Sequence, residues 1–193
     1  GLERSWEVLY CDDGSTDGSF ELLASYADQD PRIRVLSFRR NFGQTAALAA
    51  GFEHATGTVV VAMDADLQND PADLPGMLAH LGEADVVNGV RVGRRDSFVR
   101  RLSSVVANGV RNAATRDRVT DVGCSLRVMR NSILQKVEMT PRMHRFLPTL
   151  LRLEGARVIE LPVSHRPRIH GASKYGVSNR LWVGIADVWR VSK

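Results

Sequence analysis

Apolar and polar residues alternate along the chain in blocks that predict strands and helices in turn. Four stretches are apolar enough to be strands, at residues 6–11, 33–38, 58–64 and 84–92. Their near-continuous apolar character indicates burial on both faces, which is typical of parallel strands covered by helices. The pattern therefore predicts an α/β fold with a mostly parallel sheet flanked by helices.

Helical patterns follow these strands. The four helical stretches are residues 20–27, 45–55, 71–81 and 97–114. Pro71 stands at the first position of the third, where a proline fits a helix start. After about residue 120 the pattern loosens into a short strand at 125–129, helical stretches at 131–137 and 143–153, and the stretch 156–165. No repeat or internal boundary interrupts residues 1–176, so they are predicted to form one domain.

The last stretch, residues 177–193, has a different character. It predicts a short amphipathic helix that holds two of the three tryptophans, Trp182 and Trp189, and has basic residues at its ends. Such a helix suits a membrane interface. A terminal helix packed on the sheet explains the same pattern, and both interpretations stay open.

Arginine dominates the positive charge. The net charge is +4, and only three of the 26 basic residues are lysines. The arginines cluster at 91–101 and 166–174, and guanidinium groups suit phosphate and carboxylate oxygens. The clusters favour a polyanionic ligand, with a solvated basic face as the alternative. The only aromatic residues in or next to these clusters are Phe98 and Tyr175, which argues against nucleic acid as the partner.

Acidic residues follow two of the predicted strands. DDGSTD begins at Asp12 after the first strand, and DADLQ begins at Asp64 after the third. In open α/β sheets, ligands bind beyond the carboxyl ends of the strands. We therefore expect Asp12 and Asp13 to accept hydrogen bonds from a nucleotide base and ribose, with Gly14 in the tight turn that follows.

Asp64 and Asp66 are separated by one residue and can face the same ion, while Gln68 adds a carbonyl oxygen. Oxygen ligands favour Mg²⁺ or Mn²⁺ over zinc. An isolated D-x-D triplet is also typical of a helix cap or a solvated turn. The buried strand before it and the second acidic strand end favour a metal site.

Six motifs in order carry a family resemblance: DDGSTDGS, RNFGQTAAL, AMDADLQNDP, GVR, DVGCSLRVMR and RPRIHGASKY. Together they resemble the family-2 glycosyltransferases of GT-A fold, and more narrowly the polyprenyl-phosphate and dolichyl-phosphate hexosyltransferases. Residues 1–176 would be an N-terminally incomplete catalytic domain, because the family's first strand is apparently missing. Cys124–Ser125 and Arg142 also depart from the family pattern.

The resemblance implies a role for each candidate residue. Asp66 and Asp121 would be catalytic, and Asp64, Asp66 and Gln68 would hold the metal. The residues that bind the nucleotide sugar would be Asp12, Asp13, Gly14, Arg39, Asn41, Gly43, Gln44 and Asp64. The residues that bind the acceptor phosphate or the diphosphate would be Arg91, Arg100, Ser104, Arg168 and Lys174.

The function expected from these residues is metal-dependent, inverting transfer of a hexose from a nucleotide-diphosphate sugar to a polyprenyl phosphate. It would take place on the cytoplasmic face of the membrane, with a homo-oligomer as one possible assembly. A GT-A transferase acting on a polysaccharide hydroxyl is an alternative. A non-catalytic domain that binds polyanions is an alternative of another class.

Overall fold

A computed structural model describes residues 5–92 and 119–167. The predicted helix at 97–114 and the predicted terminal helix at 177–193 lie outside these ranges. None of the helices within them is both long and apolar enough to span a bilayer.

The described elements follow one another as strands and helices. In chain order they are β1 (Val8–Asp12), α1 (Ser19–Gln29), β2 (Ile33–Ser37), α2 (Gln44–His54), β3 (Val59–Ala62), α3 (Leu74–Ala79), β4 (Val86–Arg91), β5 (Arg127–Arg130), α4 (Asn131–Leu134), α5 (Leu147–Leu153) and β6 (Val158–Val163). Short 3₁₀ turns precede and follow α3 and precede α5. The predicted elements are confirmed in kind and order within the described ranges.

The chain groups into two compact units. The first contains Gly1–Val60 and Arg130–His144. Its β1 and β2 pair in parallel, from Val8 opposite Ile33 to Asp12 opposite Ser37. Helix α4 is attached to this unit by Asn131, whose backbone N–H donates to the Thr58 carbonyl over 2.9 Å. The parallel pairing of β1 and β2 places the carboxyl end of β1 beside that of β2.

The second unit contains Val61–Met129 and Arg145–Lys193. The four-stranded sheet has the order β3-β5-β4-β6, in which β4 runs parallel to β6 and antiparallel to β5. Val86 and Val87 of β4 are fully buried, as are Leu147 and Leu151 of α5. The first four residues of β4 are all buried, so both faces of the strand are covered there, which explains its largely apolar sequence.

Glu7 links the start of the first unit to the loop before β3. Its carboxylate accepts hydrogen bonds from the Thr56 backbone N–H (2.7 Å) and hydroxyl (2.6 Å), and it pairs with Arg34 at 3.0 Å. The bonds from Thr56, more than the charge of Arg34, lower the pKa of Glu7 to about 2.

A pH-dependent contribution to stability follows from this lowered pKa. Wild type should exceed Glu7→Gln in free energy of unfolding above pH 4.5, and the difference should shrink as the pH falls towards 2, because only the ionised carboxylate makes these bonds fully. Urea unfolding of both proteins between pH 7 and pH 3 measures this. A difference that is constant with pH would contradict the assignment.

Candidate functional site

Asp12 closes the turn at the end of β1. Its side chain is buried, and its carboxylate accepts hydrogen bonds from the Ser15 backbone N–H (3.1 Å) and the Ser37 hydroxyl (3.0 Å). Burial raises the pKa of Asp12, but the hydrogen bonds from Ser15 and Ser37 outweigh it, so the pKa lies below its ordinary value. An ionised carboxylate therefore sits where β1 and β2 both end.

Asp13 holds the loop that carries the RNFGQ motif. Its carboxylate accepts hydrogen bonds from the backbone N–H groups of Phe42 (2.7 Å) and Gly43 (2.9 Å). The Asn41 side chain donates to the Asp13 carbonyl over 3.3 Å. Two predicted donor-binding segments, DDG and RNFGQ, are thus joined through Asp13, whose carboxylate binds the loop directly.

Gly14 allows the same loop to approach closely. Its φ is +73°, and a Cβ at this position would lie 2.5 Å from the carbonyl carbon of Arg40. Gly14→Ala should therefore lower the free energy of unfolding by about 3 kcal/mol or more, through backbone strain and a clash with the backbone.

Gly18 provides a matched control for that substitution. Its φ is +82°, and a Cβ added there would meet no atom of the described residues within 4 Å. Gly18→Ala should cost only the conformational strain, about 1–2 kcal/mol. Urea unfolding of both variants measures the difference, and equal losses would mean that the loop does not press on Gly14.

The other residues of the predicted donor loop lie at the surface or at the start of α2. Arg39 and Asn41 are exposed, Gly43 caps α2, and Gln44 is its first residue. Thr45 follows, and its hydroxyl lies 2.7 Å from His144 Nδ1 and accepts the Arg142 N–H at 3.0 Å. No sequence motif connects His144 with Thr45, because the two residues are 99 positions apart.

The acidic triplet lies in a bend after β3, in the second unit. Asp64 and Asp66 are half-buried, and the Asp66 carboxylate accepts the Gln68 backbone N–H at 3.2 Å. Between them and Gln68, Leu67 adopts a left-handed φ of 62° and is 58% exposed. A non-glycine residue in this conformation is uncommon and marks a bend with a specific shape.

Gln68 connects the bend to the segment after β6. Its side-chain nitrogen donates to the Arg166 carbonyl over 3.2 Å and lies 3.4 Å from His165 Nε2. Asn69 and His165 form an antiparallel bridge, and the Arg166 guanidinium pairs with Asp70. A hydrogen bond from the Ala72 backbone is the main cause of the lowered pKa of Asp70, and Arg166 lowers it further. Arg166, the first arginine of the second cluster, is therefore held beside the acidic bend by a hydrogen bond and an ion pair.

The oxygen donors of the bend fit a hard divalent cation. Within residues 5–92 and 119–167, no group of three or more His, Cys, Asp or Glu side chains could hold a metal ion by itself. Two half-buried carboxylates suit Mg²⁺ or Mn²⁺, because these ions usually keep waters and take oxygens from a substrate phosphate. The donor set therefore matches an ion shared with a diphosphate.

Arg91 and Asp121 form a bidentate ion pair in the second unit. The Arg91 guanidinium donates to Asp121 Oδ2 through Nε at 2.8 Å and to Oδ1 through a terminal nitrogen at 2.7 Å. The two side chains are only 17% and 13% exposed. A Cβ on Gly123 would lie 2.7 Å from the guanidinium, so only glycine fits there without displacing it.

Arg127 is a buried cation close to this pair. Burial lowers the pKa of Arg127 to about 10, while nearby Cys124, Asp64 and Asp121 act in the opposite direction. Asp64 of the acidic bend and Asp121 thus lie within electrostatic reach of the same guanidinium. Burial also raises the pKa of the Cys124 thiol, and neither Cys11 nor Cys124 forms a disulfide.

Several predicted phosphate-binding residues lie outside the described residues. They are Arg100, Ser104, Arg168 and Lys174. Sequence reasoning missed three polar residues, Asn88, Arg127 and Glu160, that lie next to one another across β5, β4 and β6. The signal for them was present, since each interrupts an otherwise apolar strand, where a buried polar group needs a partner.

Comparison with protein families gives a match to glycosyl transferase family 2 over residues 2–138. The chain is 40% identical over 179 residues to dodecaprenyl-phosphate galacturonate synthase of Rhizobium johnstonii, covering 90% of this chain and 53% of that protein. It is 39% identical to undecaprenyl-phosphate 4-deoxy-4-formamido-L-arabinose transferase of Edwardsiella ictaluri, covering 91% and 55%. The chain thus spans about half the length of these relatives.

Solved structures share the fold. Glucosyl-3-phosphoglycerate synthase from Mycobacterium tuberculosis, in complex with Mn²⁺ and UDP-glucose, matches with a TM-score of 0.66 at 21% identity, covering 94% of this chain and 67% of that one. A mannosyltransferase from Pyrobaculum calidifontis, in complex with GDP-mannose and Mn²⁺, matches with a TM-score of 0.64 at 22% identity, covering 95% and 55%. The predicted α/β fold of GT-A type is confirmed.

Proposed function

Because this chain belongs to glycosyl transferase family 2, we propose that it transfers a hexose-type sugar from a nucleotide diphosphate to a polyprenyl phosphate, with inversion. The observation that carries the proposal is the bidentate ion pair of Arg91 and Asp121, which lies, with Asp64, within electrostatic reach of the buried Arg127. A substrate with adjacent phosphates suits such a set of groups, because carboxylates can bind a cation that contacts the phosphates and a fixed guanidinium can contact them directly.

The acceptor is proposed from the two curated relatives. Their names give a dodecaprenyl phosphate and an undecaprenyl phosphate as the lipid. A phosphate acceptor is consistent with the arginine clusters of this sequence. Such a lipid resides in a membrane, so the protein would act at a membrane surface, which we propose to be the cytoplasmic one.

The reaction needs stabilisation of the leaving group more than it needs a base. An oxygen of the acceptor phosphate, already ionised at pH 7, attacks the anomeric carbon as the bond to the nucleoside diphosphate breaks. Glycosyl transfer passes through an oxocarbenium-like state, so charge accumulates on the departing diphosphate. A divalent cation held by Asp64 and Asp66 would supply Lewis-acid neutralisation of that charge.

The chain's own residues have separate tasks in this scheme. Arg91 stabilises phosphate charge, and Asp121 fixes its guanidinium, since both Asp121 oxygens bind it. Asp121 is therefore proposed as a positioning residue, with no proton transfer assigned to it. Within the first unit, Asp12 and Asp13 hold the turn after β1 and the loop at 39–43, and these two carboxylates are proposed to bind the nucleoside.

A donor and metal screen tests the proposal. The full chain is incubated with undecaprenyl phosphate and UDP-glucose, GDP-mannose, a UDP-hexuronate or a UDP-aminopentose, because the relatives' names include a uronic acid and an arabinose derivative. We expect release of nucleoside diphosphate with at least one donor, requiring lipid phosphate and either Mg²⁺ or Mn²⁺. Unchanged release in EDTA would contradict the metal assignment.

A further inference from the structure

Three polar side chains form a row across neighbouring strands of the second unit. In register, Asn88 of β4 lies opposite Arg127 of β5 on one side and opposite Glu160 of β6 on the other. Asn88 is fully buried and Arg127 is 4% exposed. Polar groups at such positions are destabilising unless they are hydrogen-bonded, so their partners indicate what the row holds.

The row is joined by hydrogen bonds from end to end. Arg127 Nε donates to Asn88 Oδ1 over 3.0 Å, and Asn88 Nδ2 donates to Glu160 Oε1 over 3.1 Å. The amide of Asn88 can serve both neighbours because it carries an acceptor at one end and donors at the other. The three side chains therefore act as one connected unit.

Each side chain of the row hydrogen-bonds to one short segment, residues 120–122. The Glu160 carboxylate accepts the N–H groups of Thr120 (2.9 Å) and Asp121 (3.3 Å), and also the Thr120 hydroxyl (2.8 Å). The carbonyls of the same segment are bound as well. Asn88 Nδ2 donates to the Asp121 carbonyl at 3.2 Å, and Arg127 donates to the Val122 carbonyl at 2.8 Å.

The row thus holds the backbone of Asp121 by hydrogen bonds, while the Asp121 side chain forms the ion pair with Arg91. The Asp121 carboxylate accepts from the Arg91 side chain and from its backbone N–H at 3.2 Å. A shift of the 120–122 backbone would move this carboxylate and, with it, the guanidinium. Displacements of about 1 Å at a reacting centre can cost about 10²-fold in rate.

We propose that Glu160 is a positioning residue, which acts through the backbone of Thr120 and Asp121 to set the orientation of the Arg91 guanidinium for a substrate phosphate. This inference rests on the proposed function for its effect on rate. The effect of Glu160 on the orientation of the Arg91 guanidinium can be measured without any reaction.

Steady-state kinetics of the full chain test the effect on rate. Glu160→Ala should lower kcat by about 10- to 100-fold and change the donor KM by less than about threefold. Glu160→Gln, which keeps an acceptor oxygen, should recover most of that loss. The exposed Glu154 provides the matched control, and Glu154→Ala should behave as wild type.

A double-mutant cycle separates positioning from general stability. If Glu160 acts through Asp121, adding Glu160→Ala to Asp121→Asn should slow the reaction by less than about twofold further. Independent, multiplicative losses in the double variant would overturn the proposal, as would a wild-type kcat in a folded Glu160→Ala.

Side-chain NMR of ¹⁵N-arginine protein gives the second readout. The Arg91 Nε–H signal, assigned by its loss in Arg91→Lys, should move in Glu160→Ala in the same direction as in Asp121→Asn. If Glu160→Ala does not fold, Thr120→Val removes the hydrogen bond from the Thr120 hydroxyl to Glu160 and should give a smaller shift in the same direction. An unmoved signal in these variants would overturn the inference, whether or not the protein transfers sugar. If the Arg91 signal moves in these variants but the wild-type protein has no transferase activity, the positioning role of Glu160 is supported and the proposed function is refuted.

Discussion

Asp66→Asn is expected to lower kcat by about 10²–10³-fold, because in the proposed site it replaces a charged oxygen ligand of the metal with a neutral amide. The apparent affinity for Mg²⁺ or Mn²⁺ should fall with it. The measurement is initial rate against metal concentration for wild type and variant, with donor and lipid phosphate saturating.

Asp28 offers the matched control for this substitution. It is an exposed carboxylate in α1, and Asp28→Asn changes the net charge by the same amount as Asp66→Asn. Asp28→Asn should leave both rate and metal dependence unchanged. A variant at Asp66 with wild-type rate and wild-type metal dependence would remove this residue from the metal site.

Arg91→Ala is expected to impair both stability and activity. It leaves the Asp121 carboxylate, only 13% exposed, without its bidentate partner, and removal of one member of a buried pair costs about 3 kcal/mol or more. Activity should fall by about 10²-fold in kcat, since the charge proposed to stabilise the substrate phosphate is lost. Urea unfolding and steady-state kinetics measure the two effects.

Arg91→Lys divides these two effects. Lysine restores a positive charge but cannot reproduce the paired bonds at 2.8 Å and 2.7 Å, so stability should recover more than kcat does. Arg157→Ala, at an exposed position, serves as the control and should change neither quantity appreciably. Full activity in a folded Arg91→Ala would show that Arg91 does not contact the substrate.

Much of the fold was predictable because hydrophobic patterning is local. The carboxylates at the ends of β1 and β3 were located from the apolar strands before them, and Pro71 opens a turn in which Asp70 caps Ala72 N–H at 3.1 Å. Element ends were less predictable. The predicted strand at 58–64 is β3, Val59–Ala62, because the chain leaves the sheet before the acidic bend.

Contacts between residues distant in sequence were not predictable. Asp13 was predicted to bind a nucleoside, and its bonds to Phe42 and Gly43 depend on where a loop 29 and 30 residues away is placed. Glu160 belongs to no motif, and its partner Asn88 is 72 residues away. The ligand roles of the predicted site residues remain predictions that the variants above test.

Sugar transfer to a lipid phosphate is tested with two acceptors that differ only in their phosphate. The full chain receives a reactive nucleotide sugar, a divalent cation and either undecaprenyl phosphate or undecaprenol, and mass spectrometry identifies the lipid product. We expect the phosphate lipid to gain one glycosyl residue for each nucleoside diphosphate released, and undecaprenol to gain none. Transfer only to a hydroxyl acceptor, or salt-sensitive polyanion binding without any transfer, would contradict the proposed function.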